Sequence, residues 1–502
     1  MNKFTPSSSV TTPFDIPQSH ADALRFAADT IDKSDASERR SEQHLSEIKA
    51  LNGKLSRIER ILSEDADAEQ TTIQPCSDNA SPFYEEAAPP PCTAPSTHGS
   101  FMLGRNVGTG EPFTIPKSEW LRHTLILGTG REKTEIQAWL LHQQIARGGG
   151  LFWIDDNSTS AADTLRCMCV SAGRTHDLLI IDPERPEQSN TYNPLLYGTL
   201  DEVSSRCISL IPSTESSAGA DFYRQEVNQG VSAIINASRS AGLAYNFLDL
   251  SILLSNREAL SWLKQTAPSG SLALALYLEQ FKSIDSDGGE FIDATKLKQQ
   301  LGGIAGRMYS FGTGKFGKIL NAYNPEVRLK EDLLANKIIY VRLPMAGKAE
   351  VASNFGKMVV GDFHSAIAQI RALTPFQRPK IPTLALFDNC GSYVNRGWKR
   401  MFEGATNAGV AMIPSFISAK SLEANGEELR GMVIGNTETQ VAFESGECVV
   451  TDNKNNAHRV CVPPLRFSRR VEEIARTLGI NRRVRNRGLC LQEMVNRGRP
   501  FG

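Results

Sequence analysis

Lys133 and Thr134 follow an apolar run and a glycine-bearing turn in the segment His123-Thr-Leu-Ile-Leu-Gly-Thr-Gly-Arg-Glu-Lys-Thr-Glu135. That order predicts a strand, a tight turn and a helix whose first turn carries a cation and a hydroxyl. In a phosphate-binding loop of pattern G-x-x-x-x-G-K-[ST], backbone N–H groups and the helix N-terminus wrap phosphate oxygens. The lysine offsets their charge, and the hydroxyl holds magnesium. Gly128, Thr129, Gly130, Lys133 and Thr134 suit those roles, with Thr134 as a metal ligand. Two features oppose them. The loop is one residue short, and Glu132 stands where the second glycine belongs. A carboxylate there would face phosphate, and its Cβ restricts a turn that glycine makes freely. By itself such a fragment arises by chance about as readily as by function.

A second segment, Thr383-Leu-Ala-Leu-Phe-Asp388, is an apolar strand closed by an acid and followed by Asn389. A buried strand ending in this way can place Asp388 beside a magnesium ion. The next residue is where a group that polarises the attacking water is needed. Asparagine can hold a water by hydrogen bonds but takes up no proton, so Asn389 is a degenerate base position. Taken alone, a plain buried strand with a polar end is the commoner meaning of this pattern.

The elements that must position these groups are legible in the alternation of short apolar runs with helical patterns from about Phe101 onward. That alternation predicts an α/β core, a mostly parallel sheet with helices on both faces. The expected strands are His123 to Leu127, Leu151 to Ile154, Leu178 to Ile181, Lys337 to Leu343, Leu384 to Phe387, Val410 to Ile413 and Gln440 to Phe443. Between residues 199 and 300 the strand signal gives way to helical text, which predicts an inserted all-helical domain. The core is then residues 101–198 and 301–465. Residues 1–65 open with a Ser/Thr/Pro-rich start expected to be disordered. They continue into a helical stretch in which Ile48, Leu51, Leu55, Ile58 and Leu62 recur at three- and four-residue steps. That is a short coiled-coil seam through which the chain could oligomerise over residues 48–62, although a lone amphipathic helix gives the same pattern. Residues 66–100 form a Pro-rich linker. Residues 466–502 are rich in arginine, a candidate phosphate-binding tail or a solvated helix face.

Composition narrows the classes further. The 502 residues carry a net charge of −1, so any nucleic-acid contact must come from a local patch. Nine cysteines occur without C-x-x-C repeats or histidine companions, which points away from a structural zinc and towards reduced thiols. No run approaches the roughly 18 apolar residues of a membrane span, and the N-terminus lacks a signal-peptide core. A cytoplasmic protein is expected.

A colinear series of motifs adds a more specific signal. It comprises Leu103-Gly-Arg-Asn-Val-Gly-Thr-Gly-Glu-Pro112, Arg122-His-Thr-Leu-Ile-Leu-Gly128, Gly148-Gly-Gly-Leu-Phe-Trp-Ile-Asp155, Tyr192-Asn-Pro-Leu-Leu-Tyr-Gly198, Asn336-Lys-Ile-Ile-Tyr-Val-Arg-Leu-Pro344 and Phe387-Asp-Asn-Cys-Gly-Ser-Tyr393. From about Phe101 to Ile480 the chain resembles the coupling ATPases of type IV secretion and conjugation systems, the TraG/TraD and DotL/IcmO group. These belong to the RecA-like P-loop motors that include FtsK and HerA. The resemblance implies a RecA-like core, ATP and Mg²⁺ as ligands, secretion components as partners, and a helical insertion that contacts substrate at the mouth of a ring. It also marks further departures. Ser415-Phe-Ile-Ser418 puts Ile417 where the family carries a glutamine sensor, and Gly404-Ala405-Thr406 replaces Gln-Ala-Arg at an expected subunit interface. Arg307 remains a candidate trans-acting arginine or an ordinary salt-bridged one. Family members tend to have N-terminal membrane helices, where this chain has the seam and linker.

These losses lead to the expectation of a hydrolysis-deficient relative that acts in substrate binding or scaffolding and binds ATP and Mg²⁺ weakly at most. It would be recruited to the inner face of the membrane by its partners. The alternatives are an active translocating ATPase for DNA or protein, with water positioned by Asn389, and a factor that binds DNA through the insertion or the Arg-rich tail.

Overall fold

The computed structural model describes residues 99–156, 160–211, 218–267, 271–345, 349–394, 397–444 and 447–480. The seam at residues 48–62, the Pro-rich stretch up to residue 98 and the arginines beyond residue 480 lie outside them. All described residues fall in one compact unit, Ala88–Gly502.

The chain opens with β1 (Phe101–Asn106), β2 (Pro112–Ile115) and α1 (Lys117–Trp120), and continues through β3 (Thr124–Leu127), α2 (Arg131–Ala146), β4 (Leu151–Asp155), α3 (Ala161–Ser171) and β5 (Leu178–Ile181). Helices then dominate: α4 (Leu200–Ile208), α5 (Ala218–Ser240), α6 (Phe247–Leu253), α7 (Arg257–Thr266) and α8 (Ser271–Glu279). A hairpin of β6 (Lys282–Ile284) and β7 (Glu290–Ile292) precedes α9 (Ala294–Gly312), α10 (Gly314–Leu320) and α11 (Leu329–Leu334). The core resumes with β8 (Ile338–Arg342), α12 (Ala349–Arg371), β9 (Thr383–Phe387), α13 (Trp398–Ala408) and β10 (Val410–Phe416). It closes with α14 (Ala419–Glu423), α15 (Glu427–Gly435), β11 (Thr439–Glu444), β12 (Glu447–Thr451), β13 (Ala457–Cys461) and α16 (Arg469–Ile480).

One sheet of eleven strands runs in the order β2-β1-β13-β12-β11-β3-β10-β9-β4-β8-β5. From β11 to β5 every pairing is parallel, and these seven strands are the seven that the sequence predicts. They form because runs such as TLIL, LFWID and TLALF are apolar at successive positions, which suits strands covered on both faces. Alternation then divides each run between two cores. Phe152, Ile154, Ala385 and Phe387 point into one, with Phe363 of α12 stacked on Phe152 at 4.1 Å between ring centroids. Leu151, Trp153, Leu384 and Leu386 point into the other, beneath α2 and α3. The result is the mostly parallel sheet expected from the sequence, with β10 inserted between β3, which leads into the Gly128–Gly130 turn, and the acid-bearing strand β9.

The other four strands, β12, β13, β1 and β2, pair antiparallel and extend the sheet beyond β11. Their runs mix apolar with polar or charged residues. The β1 edge reaches slightly further back than Phe101. The Gly99 carbonyl accepts hydrogen bonds from Trp120 Nε1 (2.8 Å) and Arg147 Nη1 (3.2 Å), and the Ser100 carbonyl accepts one from Arg147 Nη2 (2.9 Å).

The helical insertion lies between β5 and β8, and its helices continue through α9 and α10 to Leu320. The β6–β7 hairpin interrupts the run of helices expected over residues 199–300. Its turn is closed by Asp285, which donates from its amide to the Gly289 carbonyl (2.9 Å) and accepts at Oδ1 from the Gly289 amide (2.7 Å). The insertion is tied to the core by a buried network. Arg206 of α4 bonds Asp362 of α12 at 2.9 Å, and the Tyr192 hydroxyl donates to the same carboxylate at 2.7 Å. Burial pushes Asp362 up to about 6 against the pull of Arg206. Among the described residues no helix is long and apolar enough to cross a membrane.

Candidate functional site

Parallel strands bring their C-terminal ends to one edge of the sheet, where open α/β folds hold ligands. Register sets which residues meet there: Leu127 faces Phe416, while Phe387 lies beside both Pro414 and Ile154. The residues that follow those ends, Gly128, Asp388 and the Asp155–Asp156 pair, are therefore neighbours although far apart in sequence.

The loop after β3 is built on two positive-φ glycines. Gly128 (φ 129°) donates its amide to the Phe416 carbonyl at 3.0 Å, and a Cβ there would come within 2.8 Å of Phe443 Cβ. Gly130 (φ 102°) is the N-cap of α2 and offers no side chain, so the first amides of that helix are left for another acceptor. Glu132 and Thr134 are exposed in the first turn of α2, and Thr134 Oγ1 donates to the Gly130 carbonyl at 3.3 Å. Thr129 is exposed as well.

Lys133 turns inward instead. Its Nζ donates to Asn389 Oδ1 at 2.7 Å and forms an ion pair with Asp388 Oδ1 at 3.0 Å, both partners largely buried. One helical turn on, Gln137 Nε2 donates to the same Asp388 oxygen at 2.9 Å, and Ser415 Oγ of β10 does so at 3.1 Å. The Tyr393 hydroxyl donates to the Asp388 carbonyl at 2.7 Å. Asp388 is thus fixed by groups from α2, β10 and the turn that follows β9.

Asn389 adopts the left-handed conformation (φ 43°, ψ 47°), which asparagine tolerates better than most residues. While its Oδ1 accepts from Lys133, its Nδ2 donates to Asp156 Oδ1 at 3.0 Å. The amide uses both ends to join a cation and an anion, which a carboxylate at this position could not do. Desolvation raises the Asp156 carboxyl to about 6, opposed by the Asn389 hydrogen bond. Asp155 is buried and accepts from the Tyr340 hydroxyl at 2.7 Å. Carboxylate oxygens of Asp155, Asp156 and Asp388 all lie within 4.8 Å of one another. Three acids against one lysine make this edge a place that a cation would stabilise.

Of the residues singled out from the sequence, Lys133, Asp388 and Asn389 are in direct contact, and Gly128 and Gly130 shape the loop beside them. Ile417 follows β10 at the same edge and is half exposed. Arg307 of α9 pairs instead with Glu350 of α12 at 3.2 Å. Thr406 of α13 is turned to the chain itself, donating to the Leu121 carbonyl at 3.2 Å. Gln137, Ser415 and Asp156 were missed. The available signals were the four-residue step from Lys133 and a second apolar strand closed by acids, Leu151 to Asp156.

A magnesium nucleoside triphosphate fits these residues in part. Lys133, Thr134 and Asp388 have the donor types for the phosphates and the metal, and the open amides at Gly130 suit an anion. Glu132, in the first turn of α2, opposes one.

No protein-family model matches the chain. It is similar to the Type 4 coupling protein DotL of Legionella pneumophila subsp. pneumophila, with 24% identity over 383 residues, 65% of this chain and 48% of that protein. The chain thus spans about half the length of that relative. Among solved structures it is similar to the plasmid coupling protein TrwB in complex with a non-hydrolysable GTP analogue (13% identity, 72% of this chain and 82% of that one, TM-score 0.45). It is also similar to VirB4 of Thermoanaerobacter pseudethanolicus (10% identity, 73% and 97%, TM-score 0.45).

Proposed function

We propose that this chain works as a coupling-protein-like component of a type IV secretion or conjugative transfer system, binding nucleotide weakly and hydrolysing it poorly, so that its role is to bind substrate or scaffold its partners. The observation that carries the reading is the bridge made by Asn389. The residue where a base is needed is an amide already committed to Lys133 and Asp156, and the lysine is held by Asn389 and Asp388. Ile417 at the sensor position and Glu132 in the loop support the same conclusion. Bound Mg²⁺-nucleotide would supply the phosphoryl group and the countercharge. Of the chain's own residues, Lys133 would neutralise phosphate oxygens, Thr134 and Asp388 would hold the metal, and Gln137 and Ser415 would keep Asp388 oriented. Contact with DNA through the helical insertion or the Arg-rich tail, and recruitment to the inner face of a membrane by partners, complete the proposal.

A second reading, an active ATP-driven translocating ATPase, is favoured by one observation. Asp156 sets a carboxylate beside Asn389, so an acid is present near the base position although not at it. Nucleotide binding measured beside turnover, with and without single-stranded DNA, separates the two. The expected result is weak Mg²⁺-ATP binding with turnover at background. Turnover that disappears in Lys133→Ala, in a variant shown by its melt to be folded, would establish the active ATPase.

A further inference from the structure

An anion held at the Gly128–Gly130 loop would lie on its open side, where Thr129, Gly130 and Thr134 are exposed. Lys133 is not turned to that side. Its side chain is 6% exposed, and its ammonium is bound among the residues that follow β9. Two acceptors hold it there, Asn389 Oδ1 at 2.7 Å and Asp388 Oδ1 at 3.0 Å. They are not equivalent. Asp388 Oδ1 also accepts from Gln137 at 2.9 Å and from Ser415 at 3.1 Å, so it stays paired when the lysine leaves. Asn389 Oδ1 makes the shorter bond to Lys133 and would lose that donor.

Asn389 cannot follow the lysine outward. Its Nδ2 is anchored by donating to Asp156 Oδ1 at 3.0 Å, and its backbone is left-handed (φ 43°, ψ 47°) at the head of the turn after β9. Nor can the amide turn over, since that would set Nδ2 against the ammonium and Oδ1 against the carboxylate. An acceptor therefore stays aimed at Lys133. Hydrogen bonds to a charged partner are among the stronger ones, so the outward lysine is a minor species and phosphate affinity falls by the fraction that is outward. We infer that Asn389 is a latch that withholds Lys133 from phosphate, a positioning residue that sets the affinity of the loop for polyphosphates. The inference rests on the reading of this loop as a phosphate site. A latch differs from a merely structural amide in sign: loss of a structural amide weakens ligand binding, whereas loss of a latch strengthens it.

The variant Asn389→Gly removes the amide, and glycine takes the left-handed turn without strain. Two measurements on the full chain test the latch. The first needs no ligand: acetylation of Lys133 by an amine-reactive ester, followed by peptide mass spectrometry, should be at least about tenfold faster in the variant, with exposed Lys117 unchanged as the control. The second is calorimetric titration with inorganic pyrophosphate, without added metal, whose dissociation constant should fall by at least about tenfold. Should Asn389→Gly melt early, Asp156→Ala, which frees the Nδ2 end, should shift both readouts in the same direction. Unchanged acetylation of Lys133, or pyrophosphate bound measurably but no tighter than by the parent, would overturn the latch alone. Faster acetylation with pyrophosphate bound by neither protein would overturn the phosphate-site reading and the latch with it.

Discussion

Asn389 shows how much a single side chain can be asked to do when its backbone is left-handed and both ends of its amide are engaged. Placing an acid there by Asn389→Glu is not expected to give ATP hydrolysis. Glutamate tolerates φ 43° less well, cannot donate to Asp156, and adds another carboxylate to Asp155, Asp156 and Asp388. The expected outcome is a loss of stability of about 1–3 kcal/mol in urea titration and no gain in ATP turnover. A rise in turnover would show that an acid at this position is enough for hydrolysis. His123, just before β3, makes a different prediction. It too has a positive φ (72°), its Nδ1 accepts from the Met412 amide at 3.0 Å, and its Nε2 donates to the Phe402 carbonyl at 3.1 Å. Burial lowers its pKa to about 4. Because the folded value is depressed, the unfolded chain binds more protons between about pH 4 and 6.5. Stability from the neutral ring is therefore fully present above pH 6.5 and lost as pH falls towards 4, by about 3 kcal/mol in all. The difference in unfolding free energy between the parent and His123→Gln should shrink across that window, and a pH-independent difference would refute the assignment. At this scale the sequence exposed the residues that sit in motifs. It hid Gln137, Ser415 and Asp156, whose roles depend on which strands lie side by side, and register of that kind is not written in any local run.

Between elements, the attachment of the insertion rests on charge as well as on apolar contact. Arg206 on α4 and Asp362 on α12 are almost wholly buried, and removing one leaves the other uncompensated. Arg206→Met should cost about 3–5 kcal/mol, and adding Asp362→Asn should recover a good part of it, because an unpaired buried charge is the main penalty. Denaturant melts of the two single variants and the double variant measure the coupling. A cost below about 1 kcal/mol for Arg206→Met would mean that water reaches the pair. The sequence announced the seven parallel strands because each is apolar at consecutive positions. It did not announce β1, β2, β12 and β13, whose runs mix apolar with polar or charged residues; in β13, AHRVC, Val460 alone is buried. Nor could it place the end of the insertion, since helix follows helix from α9 to α11 without a change of composition.

For the whole molecule, the first question is where the folded unit begins. A composition shift pointed to Phe101, but the carbonyls of Gly99 and Ser100 already serve buried Trp120 and half-buried Arg147, and the Arg147 guanidinium stacks 3.9 Å over the Phe101 ring. A chain starting at residue 99 should therefore be soluble and melt cooperatively. One starting at residue 101 should be less stable by about 1–3 kcal/mol, the cost of buried donors left without acceptors. Equal melting temperatures would place the boundary at Phe101 after all. The same strand has a second consequence, one of time. β1 leaves the ribosome well before its neighbour β13, which is paired through Arg105 and Cys461 and is made roughly 350 residues later, on the order of half a minute at cellular elongation rates. Until then the β1–β2 ribbon has an unclaimed edge and no sheet to join, so over that interval the nascent chain is a candidate for mispairing and for chaperone capture.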